Sequence, residues 1–162
     1  MAKPIAYIGI DPGSLGQVCL LSIDYNTIEF CPTNINPIAL TSWFNSMDER
    51  YDIRVIMIEE VHSIHGTSAK SNFTFGYNVG YINALAGATG LGIDKVTPKV
   101  WQKEIGVKQA LKGPARKKEI AAICQRLYPK AVIHGPKGGL LDGKSDSLCI
   151  AHCAYLKYNQ IR

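Results

Sequence analysis

No stretch of the sequence approaches the roughly 18 uninterrupted apolar residues of a membrane-spanning helix, so a bundle of such helices is excluded as its architecture. Cysteine occurs at only five positions, Cys19, Cys31, Cys124, Cys149 and Cys153. The number is odd and the intervals irregular, which excludes a disulfide framework. Cys149 and Cys153 stand one helical turn apart, but no second Cys or His pair follows at zinc-site spacing, and His152 between them points off their shared face. Reduced, buried thiols in a cytoplasmic protein are the expectation. Charged residues amount to 19% and aromatic residues to 9%, against 46% hydrophobic, the balance of a globular domain and not of a disordered chain. Repeats, linkers and low-complexity tracts are absent, and Met1-Ala2-Lys3-Pro4 leads straight into a strand-like run, so no signal or transit peptide is expected. With 162 residues, and roughly 150 per domain, a single domain over 1–162 is expected.

What the chain does have is an uneven charge. Eighteen Lys and Arg against thirteen Asp and Glu give +5. Between Lys95 and Lys137, however, eleven basic residues meet only Glu104 and Glu119, so that segment carries +9 and the remainder −4. A solvated basic helix surface produces such a segment. So does a polyanion-binding enzyme whose acids hold metal and whose bases hold phosphate.

Ile5-Ala6-Tyr7-Ile8-Gly9-Ile10 is an apolar run of strand length that stops at the turn sequence Asp11-Pro12-Gly13-Ser14. Gly16 to Ile23 and Thr27 to Cys31 read as two more strands about the turn Asp24-Tyr25-Asn26, which predicts an antiparallel meander. Ile38, Leu40, Trp43, Phe44 and Met47 recur at helical spacing over Pro37 to Met47. Arg54-Val55-Ile56-Met57-Ile58 suits a strand buried on both faces and ends at Glu59-Glu60. His62 to Ser71 is polar and aperiodic, whereas Phe73 to Thr89 reads as a helix of small and apolar residues. Asp94-Lys95-Val96 is a short strand, and Thr97-Pro98 opens a helix. After a break at Lys112-Gly113-Pro114, Ala115 to Tyr128 forms a helix that buries Ile120, Ile123, Cys124 and Leu127 and keeps Lys and Arg off that face. His134 to Gly139 is a loop, and Asp142 to Tyr158 a final helix with Leu148, Ile150, Ala151, Ala154 and Tyr155 as its apolar positions. A meander followed by alternating helices and strands predicts an α/β fold, a mixed five-stranded sheet flanked by helices.

Asp11 and Glu59 each end an apolar run, so both project from the tips of central strands. Asp142 and Asp146 lie four apart at the start of the last helix and share a face if Asp142 is helical. Four acids from three elements can then converge. Clustered carboxylates raise one another's pKa values unless a cation neutralises them, and hard oxygen donors select Mg²⁺ or Mn²⁺. Two such ions would activate water and stabilise the leaving oxygen in phosphodiester hydrolysis. Simpler roles are open to some of these residues: Asp11 can start a turn, Asp142 can cap a helix, and Glu60 is a solvated neighbour. Asp146, beside an apolar helix face and with no basic residue four positions on, has the least simple alternative.

Ile8-Gly9-Ile10-Asp11-Pro12-Gly13-Ser14, Ile58-Glu59-Glu60-Val61 and Asp142-Gly143-Lys144-Ser145-Asp146-Ser147-Leu148, in that order over nearly the whole chain, resemble the RuvC family of Holliday junction resolvases. The likeness to phage-type members is greatest at the last motif. The resemblance implies an RNase H-like fold, a homodimer, and paired, Mg²⁺-dependent nicking of four-way DNA junctions with two ions per site. Carried over by position, it makes Asp11, Glu59, Asp142 and Asp146 the metal-binding catalytic acids, with Glu59 preferred to Glu60 because it follows the strand directly. One departure concerns Asp142: the cellular bacterial pattern has its last two acids three apart, and here position 143 is Gly.

The resemblance also places the dimer interface on the helix after the second motif and makes His62 to Phe75 a junction-contacting segment. Phe73 and Phe75 are candidates to stack on an unpaired base. Lys70, Lys108, Lys112, Arg116, Lys117, Lys118 and Lys144 are candidate phosphate contacts, with Lys117 and Lys118 favoured at a helix start and Lys144 between two of the acids. A branched-DNA endonuclease acting on forks or flaps uses the same chemistry. A non-catalytic junction binder needs no acids in register, and an actin-like ATPase or sugar kinase needs two such domains.

Overall fold

The computed structural model describes residues 2–22, 27–61, 66 and 68–159. Three strands open the fold: β1 (Ile5–Ile10), β2 (Gln17–Ser22) and β3 (Ile28–Pro32). The turn expected at Asp24-Tyr25-Asn26 lies outside the described residues. Helix α1 (Pro37–Arg50) starts where the Asn36 side chain accepts a 2.8 Å hydrogen bond from the Ile38 N–H and Pro37 occupies the first turn. Then come β4 (Asp52–Glu59), α2 (Ala69–Ala88), β5 (Ile93–Val96), α3 (Pro98–Glu104), α4 (Gly113–Leu127) and α5 (Asp142–Tyr158). Among the described residues no helix is long and apolar enough to cross a membrane.

The sheet order is β3-β2-β1-β4-β5. The first three strands pair antiparallel, and β4 joins β1 and β5 in parallel, so the sheet is mixed as expected. Alternation along each strand separates two apolar layers. Ala6, Ile8, Ile10, Val18, Leu20, Ile56 and Ile58 face α1 and α2, packing with Leu40, Phe44, Met47, Ile82 and Ala86. Tyr7, Cys19, Leu21, Val55 and Met57 face α3, α4 and α5. Helix α5 is the inner helix of that layer, buried from Ser147 to Ala151 without a break. It lies so close to β1 that a Cβ on Gly9 would come within 2.2 Å of the Ser147 carbonyl oxygen and the Ala151 nitrogen.

Three expectations need correction. Helix α2 begins at Ala69, ahead of the apolar spacing, because Ser68 caps it by accepting a 3.1 Å bond from the Ser71 N–H, and its first turn is exposed and so carries no apolar signal. Ile38 and Leu127 are exposed despite their spacing, Ile38 in the first turn of α1 and Leu127 at the last residue of α4. Ala121 is buried on the inner face of α4 beside Ile120, Ile123 and Cys124. All five cysteines are free and buried.

Candidate active site

Strand parity decides where the first two acids point. Asp11 follows Ile10 and so shares the face of Tyr7 and Gly9; Glu59 follows Ile58 and shares the face of Val55 and Met57. Ile10 pairs with Ile58, so the two acids emerge side by side at the tips of adjacent parallel strands, on the α5 side. Helix α5 brings Asp142 in its first turn and Asp146 one turn later. Their positions at its N-terminus are favourable for negative charge.

Electrostatics tie the four together. Burial pushes the Asp146 carboxyl up to about 8, and the charges of Asp11, Glu59 and Asp142 push the same way, with Lys117 opposing. Burial likewise raises Glu59 to about 7, reinforced by Asp11 and opposed by a hydrogen bond from Trp101. Asp11 is raised by burial and by Asp142, against the Gly13 N–H, which donates to its Oδ1 at 2.9 Å, and against Lys117. Asp142 accepts a short ionic hydrogen bond from the Lys117 ammonium. Glu60 is exposed and its backbone N–H continues the ladder to Val96, so Glu59 is the acid that faces the cluster.

A hard divalent cation suits this donor set: the donors are all carboxylate oxygens, and burial plus mutual repulsion leaves two of them holding protons near neutrality. Among the described residues no group of three or more His, Cys, Asp or Glu side chains is placed to hold a metal ion. Mg²⁺ seldom needs such a group, since it takes one or two carboxylates and completes its shell with water and substrate phosphate.

The basic residues divide. Lys117 is exposed but pairs with Asp142, so its charge is shared between the acids and the solvent side. Lys118, Lys112 and Lys108 are exposed on or just before α4, and the Arg116 Nε donates to the Leu111 carbonyl at 2.8 Å. Lys144 departs from expectation: its Nζ lies 5.0 Å from the centre of the Phe30 ring and 3.4 Å from the Val132 carbonyl oxygen. Two residues from either acid on a helix is about 200° of rotation, which turns it away from them. Lys70 and Phe73 are exposed on the first turns of α2 and Phe75 is half-buried, so of the two aromatics Phe73 is the one open to stacking. Residues 62–65 and 67 of the expected junction-contacting segment lie outside the described residues.

Two features escaped the sequence. Trp101 contacts Glu59, and Gly143 explains the spacing of the last motif. A Cβ at position 143 would sit 2.4 Å from the Leu15 carbonyl oxygen, so the β1–β2 turn leaves no room there for an acid. Asp142, one residue earlier, carries the carboxylate.

The five-stranded sheet with its covering helices is a fold found in solved structures. The fold is that of RuvC. The structure of RuvC from T. thermophilus in complex with a Holliday junction substrate matches with a TM-score of 0.61 at 15% identity, over 94% of this chain and 95% of that one. A second Thermus thermophilus RuvC structure matches with a TM-score of 0.58 at 14% identity, over 96% and 97%. No family model and no curated protein matches the sequence. The RuvC fold is the RNase H-like α/β architecture expected from the three motifs.

Proposed function

We propose that this protein is a divalent-metal-dependent endodeoxyribonuclease that resolves four-way DNA junctions by paired nicks. The observation that carries this reading is the convergence of Asp11, Glu59, Asp142 and Asp146 at one end of the sheet, with Asp11, Glu59 and Asp146 raised by burial and by the acids around them. The RuvC fold and the junction bound to one of its solved representatives support the choice of substrate.

The four acids hold the cations, Mg²⁺ or Mn²⁺, in this reading. When bound, two such ions supply the Lewis acidity that makes water a nucleophile and stabilises the departing 3′-oxygen. Asp146 and Glu59 must shed their protons to bind them, so cation affinity rises with pH. Lys117 holds Asp142 on the cluster's outer side and is placed to meet a phosphate oxygen beside it. Lys108, Lys112, Arg116 and Lys118 extend that positive edge along the backbone of the DNA. Lys70 and Phe73 at the start of α2 meet a neighbouring arm, where the exposed ring stacks on an unpaired base. The chain acts as a homodimer, which sets two sites on opposite strands of one junction; the face of α2 with Tyr77, 66% exposed, supplies apolar surface for the partner. Five free thiols suit the reducing cytoplasm.

The test is a substrate panel: a synthetic four-way junction, a splayed duplex and a linear duplex, each with Mg²⁺ and with EDTA. Symmetrical nicks in the junction alone, dependent on Mg²⁺, are the expected result. Equal cutting of splayed duplex and junction assigns the chemistry to branched DNA in general, and no cutting of any substrate overturns the proposal.

A further inference from the structure

Each candidate acid has a partner, and the partners differ in kind. Among the described residues, Asp142 meets a lysine at the surface, Asp11 a backbone N–H in its own turn, and Asp146 no donor nearer than the Ser145 hydroxyl at 3.5 Å. Among the described residues Glu59 is the acid that accepts from a neutral donor sealed in the core: the indole Nε1–H of Trp101 donates to its Oε1 at 2.8 Å, and the Trp101 side chain is fully buried.

Trp101 stands in the first turns of α3, the helix that directly follows β5, and β5 lies beside β4 with Val96 opposite Glu59. Its ring packs in the same apolar layer as Val55, Met57 and Leu148. An indole has one donor, accepts nothing, and never titrates. Packed on all sides, it cannot turn to follow a moving carboxylate.

We propose that Trp101 is the positioning residue for Glu59: its N–H occupies Oε1, fixes the plane of the carboxylate and leaves Oε2 as the oxygen presented to a cation. The inference rests on the metal-dependent reading above. Outer hydrogen bonds of this kind orient metal-binding carboxylates, and their loss costs about 10–100-fold in metal affinity or activity.

The test replaces Trp101 in the full chain with β-(3-benzothienyl)alanine, which keeps the fused ring and puts sulfur where the N–H was. Mn²⁺ binding without DNA, followed by the electron paramagnetic resonance of the free ion, is expected to weaken about 10–100-fold. Junction binding in EDTA stays unchanged, and the cutting rate at limiting Mg²⁺ falls by a similar factor. Unchanged Mn²⁺ affinity and cutting in the analogue overturn the role of Trp101 and leave the nuclease reading intact. Failure of the unsubstituted protein to bind Mn²⁺ overturns the metal-dependent reading, and this inference with it. If the analogue does not fold, the chain's second tryptophan allows another measurement. In Trp43→Phe, Trp101 is the sole indole, and Mn²⁺ is expected to quench its fluorescence in a saturable way that Glu59→Gln abolishes. Mn²⁺ binding with no quenching overturns the proposal.

Discussion

At the scale of the residue, Asp146 carries the heaviest electrostatic load. Its folded value of about 8 and that of Glu59, about 7, stand far above their ordinary 3.8 and 4.5. The native state therefore keeps protons that the unfolded chain releases at these two groups, so without divalent cations their contribution to stability is greatest at low pH and is lost as pH rises from about 4 to about 8. Asp146→Asn removes the largest part of that dependence. Relief of a buried, unneutralised carboxylate is worth about 1–3 kcal/mol, and for a chain of this size each kcal/mol moves the melting temperature by about 2–4 °C. Thermal melts in EDTA are expected to place Asp146→Asn above wild type at pH 8 and close to it at pH 5. Added Mg²⁺ should raise the wild-type midpoint more at pH 8 than at pH 5. A variant that melts below wild type at pH 8 would contradict the electrostatic account. The preference for Glu59 over Glu60 was drawn from its place directly after the last isoleucine of the strand. The turning away of Lys144 was not legible, because its destination is the Phe30 ring on a strand more than a hundred residues earlier. Nor was Trp101, whose partner lies 42 residues away and is set by how α3 packs under β4.

At the scale of the element, the site depends on how closely α5 can approach the sheet. Gly9 lets the helix backbone touch β1, and Gly143 lets its first turn slide under the β1–β2 turn. Both neighbours are backbone atoms, so an added methyl group has nothing soft to push against. Gly9→Ala is expected to cost about 1–3 kcal/mol through overpacking and to move Asp146 off Asp11 and Glu59, with cutting lost in proportion beyond the loss of folded protein. Urea denaturation beside a junction-cutting assay checks both; full activity in Gly9→Ala would show that α5 does not set the site. The meander, β4 and α5 were legible in the sequence, since continuous apolar runs and a sustained helical period survive without knowledge of neighbours. The first turn of α2 was hidden because it is polar and held by a cap, and the exposure of Ile38 and Leu127 was hidden because spacing does not tell which positions at a helix end are covered.

At the scale of the whole molecule, the basic third of the chain sits beside the acidic cluster. The segment with charge +9 supplies α3, α4 and their loops, and Lys117 within it touches Asp142. Junction affinity is therefore expected to fall steeply with salt, with a logarithmic slope near −0.9 per phosphate neutralised. Lys118→Ala should reduce the magnitude of that slope by about 1 and weaken binding evenly across junction sequences, as gel-shift titrations at several salt concentrations would reveal. An unchanged slope would remove α4 from the interface. Dimerisation predicts a sedimentation mass of twice 17.7 kDa at micromolar protein, and a monomer at those concentrations would leave paired nicking without its geometry.

The most direct test of the central claim, that these four carboxylates form a metal-dependent phosphodiester-cleaving site, is the rate at which Asp146→Asn nicks a synthetic four-way junction in Mg²⁺, beside wild type. The account predicts Mg²⁺-dependent symmetrical nicks by wild type and a rate lower by more than about 100-fold in the variant, beyond what outer partners of metal ligands usually cost, while junction binding in EDTA survives. A folded variant that cuts at the wild-type rate would contradict it.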